Sequence, residues 1–234
     1  MGGSNALGSW GYIDAVNELI NQIDDLCGNS GSRGSDSSTE FALDHVVFAT
    51  GSGGTATGIV VGLSLAFGSL GVGHPSLMRR SAPKVHAVGV CDDPEYFYTT
   101  ISSIADEMGI EPRPTMTSEQ FIREVVTVYN GKGRGYAISS DDELDFILQF
   151  AIETGVALDP VYSGKALYYF LEKVVKDDPE SYRNKNILFW HTGGSIGLYE
   201  KGDSLLEKML LKSPVKRIDA TAISSSTLNG AIIT

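Results

Sequence analysis

Asp44-His-Val-Val-Phe-Ala-Thr-Gly-Ser-Gly-Gly-Thr-Ala-Thr-Gly58 sets a short apolar run against a cluster of glycines and hydroxyls. His45 to Ala49 is a continuous apolar run of strand length, the pattern of a strand covered on both faces of a parallel sheet. Thr57 to Phe67, just beyond the glycines, carries no charge and reads as a buried helix. Strand, glycine turn and helix N-terminus together make an anion cradle. Backbone N–H groups converge there, the helix dipole adds partial positive charge, and missing side chains let a phosphate approach.

Working outward, the same alternation returns. Lys84 to Cys91 and Lys185 to Trp190 read as further strands, the latter followed at once by a second glycine loop, His191-Thr-Gly-Gly-Ser-Ile-Gly197. Tyr12 to Leu26 places Ile13, Val16, Leu19, Ile20 and Ile23 on one helix face and stops at Gly28. Helices are also expected at Tyr96–Met108, closed by Gly109, at Asp141–Glu153, with acids in its first turn and Gly155 as its stop, and at Lys165–Val175. Glu119 to Tyr129 is ambiguous, helical first and β-branched after. Residues 1–11 read as a Gly-rich loop, 29–39 as a flexible Ser/Gly-rich surface insertion, and Gly131–Tyr136 as a loop. Pro75–Pro83 reads as a loop whose Arg79 and Arg80 form a solvated basic patch, and 201–234 as a partly irregular C-terminal extension. The expected architecture is α/β, a mainly parallel sheet flanked by helices. Ligands in such sheets sit beyond the carboxyl ends of strands, so the two glycine loops are expected to face one pocket.

Composition narrows the partners. At 234 residues the chain can bury a full core. A net charge of −11 argues against nucleic acid or an anionic membrane, both of which need clustered Lys and Arg. Cys27 and Cys91 show no metal spacing and fit a reducing compartment, and the four histidines show no HxxxH pattern, so no metal is expected. Met1 runs into Gly-Gly-Ser-Asn without a basic and apolar leader, and Gly51–Met78 is too broken by glycines to span a membrane. A cytoplasmic or organellar location is the expectation.

Gly51-x-Gly53-x-x-Ala56 meets the loose dinucleotide spacing, yet no Asp or Glu lies between His45 and Cys91 to bind a ribose. No Gly-Lys-Ser/Thr closes the segment, which removes a P-loop. Turn formation alone would explain one or two of the glycines, but less well their alternation with Ser52, Thr55 and Thr57. A monophosphate held by amides and hydroxyls fits, as in pyridoxal phosphate enzymes, which also need an anchoring lysine, a partner for the ring nitrogen and acid–base groups.

Gly2-Gly-Ser-Asn-Ala-Leu-Gly8, Gly51-Ser-Gly-Gly-Thr55, Gly135-Tyr136, Asp159-Pro-Val-Tyr-Ser-Gly-Lys165 and His191-Thr-Gly-Gly194 occur in series. Together they resemble the D-cysteine desulfhydrase and 1-aminocyclopropane-1-carboxylate deaminase family, of the tryptophan-synthase-β-like fold. The resemblance covers roughly residues 2–200, which would then be part of the large domain, with the small domain largely absent. It implies that Gly51, Ser52, Gly53, Gly54 and Thr55 hold the phosphate of pyridoxal 5'-phosphate. Tyr136 and Tyr162 would be active-site phenols that move a proton if neighbours lower their pKa. Read without the resemblance, Tyr136 is a loop aromatic covering the core and Tyr162 a staple before the following helix.

Ser163 and Thr192 stand where the family's deaminases are similar to one another in carrying Glu and Leu. A neutral hydroxyl near the ring nitrogen makes a weaker electron sink than a carboxylate does, which suits the desulfhydrase branch. The implied reaction is β-elimination of D-cysteine to pyruvate, sulfide and ammonia on a small amino-acid substrate, in a homodimer. Deaminase activity, or a non-catalytic phosphate-ligand-binding pseudoenzyme, are the alternatives. The family's Schiff-base lysine lies upstream of the Gly-Gly-Ser-Asn motif, so an N-terminally truncated, inactive chain is expected. Lys165 and Lys132 are the substitutes worth testing.

Overall fold

The first and third strands end where a glycine begins, at Gly51 and Gly131. In this computed structural model, which describes residues 4–29, 42–71, 73, 74, 77 and 81–212, the strands are β1 (His45–Thr50), β2 (Lys84–Gly89), β3 (Val126–Asn130) and β4 (Ile187–Trp190). They lie in the order β3-β2-β1-β4, and every pairing is parallel. Thr50 pairs with Gly89, Gly89 with Asn130, and Phe48 with Trp190. The carboxyl ends of neighbouring strands therefore open on one side of the sheet.

Strand alternation feeds two cores. Val46 and Phe48, with Val85 and Ala87, face α1 (Ala6–Asn29), α2 (Gly54–Ala66), α3 (Pro94–Glu107) and α4 (Ser118–Val125). Val47, Ala49, Val88 and Val90 face α6 (Ser163–Tyr169) and its π-helical continuation Phe170–Val175. A satellite core joins α5 (Asp141–Thr154), α6 and α9 (Gly202–Lys212) through Leu144, Ile147, Leu167 and Leu205. Each fully buried side chain such as Phe48 or Ile59 contributes about 1.5–3 kcal/mol. The second face also buries a polar chain: His45 Nδ1 lies 2.9 Å from His86 Nε2, and His86 Nδ1 3.0 Å from the Tyr129 hydroxyl.

Helix α2 is wedged so closely against α1 that a Cβ on Gly58 would sit 2.3 Å from the Ser9 carbonyl oxygen. That approach explains why α2 is both glycine-bearing and uncharged.

Several expectations shift. The glycine-rich start is helical from Ala6, because the Asn5 side chain accepts the Gly8 N–H at 2.8 Å and caps the first turn. That helix runs through Gly28 to Asn29. Helix α2 begins at Gly54 rather than Thr57, which draws Gly54 and Thr55 into its first turn. The 119–129 ambiguity resolves into α4, opened by a Thr117–Gln120 capping box, and then β3. The helix expected at Lys165–Val175 starts two residues earlier and turns π-helical at Phe170. Short helices α7 (Pro179–Tyr182) and α8 (Gly197–Glu200), and the longer α9, form where the periodicity offers none. The insertion over 30–39, the Arg79 and Arg80 patch, and residues 213–234 lie outside the described residues. No helix among the described residues is long and apolar enough to cross a membrane.

Candidate functional site

At the carboxyl ends of β1 and β4, the two glycine loops border one cavity of about 250 Å³. Tyr12, Thr50, Gly51, Ser52, Gly53, Thr55, Tyr162, Thr192, Gly193 and Gly194 line it. The expectation that both loops face one pocket is met. Gly54 sits buried in the first turn of α2, behind this lining.

The first wall is built by a backbone choice. Gly53 precedes α2 at φ 86°, a left-handed conformation, and offers no side-chain cap, so the first N–H groups of the helix remain open for an anion. A Cβ on Gly51 would come 2.7 Å from Cε1 of Tyr162, so the ring can approach only because that side chain is missing. The Thr57 hydroxyl is turned away and donates to the Gly53 carbonyl at 2.9 Å. Ser4 and Ser52 hydroxyls touch, tying the start of the chain to the loop. Beside them, the Cys91 thiol donates to the Gly51 carbonyl at 2.8 Å, and burial pushes its pKa up.

Thr50 was missed by reading outward from the first glycine. Its hydroxyl is the buried side-chain polar atom that has no hydrogen-bond partner among the described residues, and the residue lines the cavity. An orphaned hydroxyl of this kind costs free energy until something binds it.

A fully buried carboxylate builds the opposite wall. Asp159 accepts the N–H groups of Val161 (2.8 Å), Tyr162 (2.7 Å) and Ser163 (2.7 Å), and the Ser163 hydroxyl at 2.6 Å. Those bonds fold the Asp-Pro-Val-Tyr turn and present Tyr162 to the cavity. A Cβ on Gly194 would meet Asp159 Oδ1 at 2.9 Å, so the second glycine loop packs on the same carboxylate. The motif was visible in the sequence; the carboxylate's organising role was not.

Ser163 and Thr192, paired by sequence reasoning, part company here. Thr192 lines the cavity. Ser163 is 2% exposed and does not line it, its hydroxyl being spent on Asp159.

The two tyrosines do meet: the Tyr136 and Tyr162 hydroxyls are 2.7 Å apart, with their rings edge to face. Tyr162 is pushed up to about 12, first by that hydrogen bond and then by burial. The lowering expected of an active-site base is absent, so Tyr162 holds its proton at neutral pH.

No charged side chain, and so no lysine, lines the cavity among the described residues. Lys165 Nζ is committed to the Lys132 carbonyl at 2.9 Å and to Glu143 at 3.3 Å. Its side chain is buried and does not line the cavity, so it is not placed as a covalent anchor there. No group of His, Cys, Asp and Glu able to hold a metal occurs among the described residues.

Comparison with known proteins bears on this geometry. Residues 2–193 match the family model described as pyridoxal-phosphate dependent enzyme. A bifunctional D-cysteine desulfhydrase/1-aminocyclopropane-1-carboxylate deaminase of Arabidopsis thaliana, mitochondrial by its name, is 40% identical over 89% of this chain and 44% of its own length. A D-cysteine desulfhydrase of Klebsiella pneumoniae is 28% identical, over 85% of this chain and 50% of its own. The crystal structure of an ACC deaminase homologue superposes with a TM-score of 0.59 at 24% identity, covering 87% of this chain and 51% of that one, a likeness of fold. The chain thus spans about half the length of the curated relatives it matches.

Proposed function

The chain belongs to the pyridoxal-phosphate dependent enzyme family, and we propose that it supplies the phosphate-holding and phenol-bearing part of an active site for β-elimination on a small amino acid, D-cysteine first. The observation that carries this reading is the cavity shared by the Gly51–Thr55 and Thr192–Gly194 loops, with Tyr162 in its lining and the Tyr136 hydroxyl 2.7 Å from that of Tyr162.

The residues present fit the cofactor. A Cβ on Gly51 would run into the Tyr162 ring at the cradle wall, and Thr50 offers an unpartnered hydroxyl beside it. Gly51 to Thr55 would hold the phosphate through backbone N–H groups and the Ser52 and Thr55 hydroxyls. Thr192, which lines the cavity where Ser163 does not, would be the neutral hydrogen-bond partner of the ring nitrogen. When bound, pyridoxal phosphate withdraws electrons from the carbon beside the substrate amine. Tyr136 and Tyr162, hydrogen-bonded through their hydroxyls, would orient the amine and donate a phenol proton to the departing sulfur.

With no lysine lining the cavity among the described residues, this chain by itself would bind the cofactor without a covalent bond and would not turn over. Deaminase activity is the second reading, since the Arabidopsis relative carries both names. A homodimer in the cytoplasm or an organelle is the expected setting.

Titration with pyridoxal phosphate followed by borohydride tests this. Saturable binding that remains dialysable after reduction is expected. Reduction that fixes the cofactor to a native lysine would overturn the anchor assignment, and no binding at millimolar cofactor would overturn the site itself.

A further inference from the structure

Lys165 carries a charge into the protein interior without lining the cavity. It sits three residues after Tyr162, in the first turn of α6. Its amine donates to the Lys132 carbonyl at 2.9 Å and pairs with Glu143 Oε1 at 3.3 Å, the two side chains being 0% and 9% exposed. The other Glu143 oxygen accepts the Ser140 N–H at 2.7 Å and closes the capping box of α5. Three segments therefore meet on one ion pair: the start of α5, the start of α6, and the loop that carries Tyr136.

That loop is not a relaxed path. Gly133 has φ 59° and Ala137 φ 58°, and an alanine in the left-handed region costs roughly 1–2 kcal/mol. A Cβ on Gly133 would lie 3.1 Å from Glu143 Oε1 and 3.2 Å from Lys165 Nζ, so the backbone rests directly on the pair. The Lys132 carbonyl also accepts the Gly135 N–H at 3.1 Å, which forms the turn beneath Tyr136. Tyr136 is itself 52% exposed, so its position is set mostly by the backbone that carries it. Stability alone accounts poorly for the pair, since buried ion pairs are often no more stabilising than apolar side chains of the same size.

We propose that Lys165 is a positioning residue: its bond to the Lys132 carbonyl, with Glu143 as counter-ion, holds the 131–139 loop so that the Tyr136 hydroxyl meets that of Tyr162. This rests on the assignment of those phenols to the active site. The contact it explains can be read without cofactor, which keeps its failure distinct from a failure of that assignment.

The test is Lys165→Met combined with Glu143→Gln, which strands no buried charge, in the full chain. Two readouts are used: the ring-to-ring nuclear Overhauser contact between Tyr136 and Tyr162, and amide hydrogen exchange. The ring contact should be lost. Amides of 132–137 should exchange about tenfold faster or more, the opening that loss of one charge-assisted hydrogen bond permits, while β1 and α2 keep their protection. Glu143→Gln alone, which leaves the lysine–carbonyl bond, should retain the ring contact. Persistence of the contact in the double variant overturns the proposal. So does a uniform loss of protection across the chain, which would make the lysine a stability element only. Should the methionine variant not fold, Lys165→Gln with Glu143→Gln repeats the test.

Discussion

Replacing Thr50 by valine removes one oxygen and leaves the outline of the side chain nearly intact. Thr50 is 1% exposed, and its hydroxyl finds no partner among the described residues. A buried hydroxyl left unpaired costs about 1–3 kcal/mol, and valine does not incur that cost while matching the β preference of threonine. The unliganded Thr50→Val chain should therefore be more stable than the parent, by about 2–4 °C in Tm for each kcal/mol gained. Cofactor binding should move the other way. If the hydroxyl bonds the phosphate or ring of pyridoxal phosphate, losing that bond weakens affinity by about 0.5–1.5 kcal/mol, or roughly two- to tenfold. Thermal unfolding with and without pyridoxal phosphate measures both quantities in one experiment, with Thr50→Ser as the variant that keeps the hydroxyl. A destabilised unliganded valine variant would refute the claim that the hydroxyl is orphaned. Unchanged cofactor affinity would refute its place in the cradle.

Acid should unfold the chain through its histidines. Burial holds His86 down at about 4 and lowers His45 as well, so the unfolded chain takes up protons near 6.5 that the folded chain refuses. That stability is present above pH 6.5 and lost as pH falls towards 4, up to about 3 kcal/mol from His86. Urea unfolding across that window should show the slope, and a flat profile would mean that Tyr129 and Tyr182 around the pair accommodate the imidazolium. Asp159→Asn should destabilise by about 2–4 kcal/mol, because the amide cannot accept all four of the donors that converge on this carboxylate; denaturant midpoints measure it, and cofactor affinity should fall with them. Gly58→Ala should force α1 from α2, since its Cβ would meet the Ser9 carbonyl at 2.3 Å; a variant as stable as the parent in thermal unfolding would contradict that packing.

What could be read from the chain follows how local each signal is. Gly109, at φ 72°, and Gly155, at φ 74°, close the helices they were expected to close, because a left-handed residue is a local demand. The parallel sheet was legible from runs such as Val46-Val-Phe-Ala49, which only burial on both faces explains. Residues 4–11 were misread because glycine counts against a helix, whereas the Asn5 cap and close packing on α2 outweigh that propensity. The site was legible as far as motifs reach. Thr50 escaped because nothing local marks a hydroxyl as unpartnered, and Ser163 was sent to the cavity because its bond to Asp159 exists only once the turn has folded. Lys165 looked like a helix start; its partners lie 22 and 33 residues away in sequence.

The absence of cationic side chains from the cavity wall, among the described residues, has a kinetic corollary. A chain of net charge −11 repels a phosphate monoester at long range, while the amides and hydroxyls that hold it act only on contact. Dissolved salt screens the first influence, with a Debye length of about 8 Å at physiological ionic strength, and hardly touches the second. Capture of the ligand should thus quicken as ionic strength rises, the reverse of what an arginine- or lysine-lined cradle does, and a saline interior would favour loading over escape.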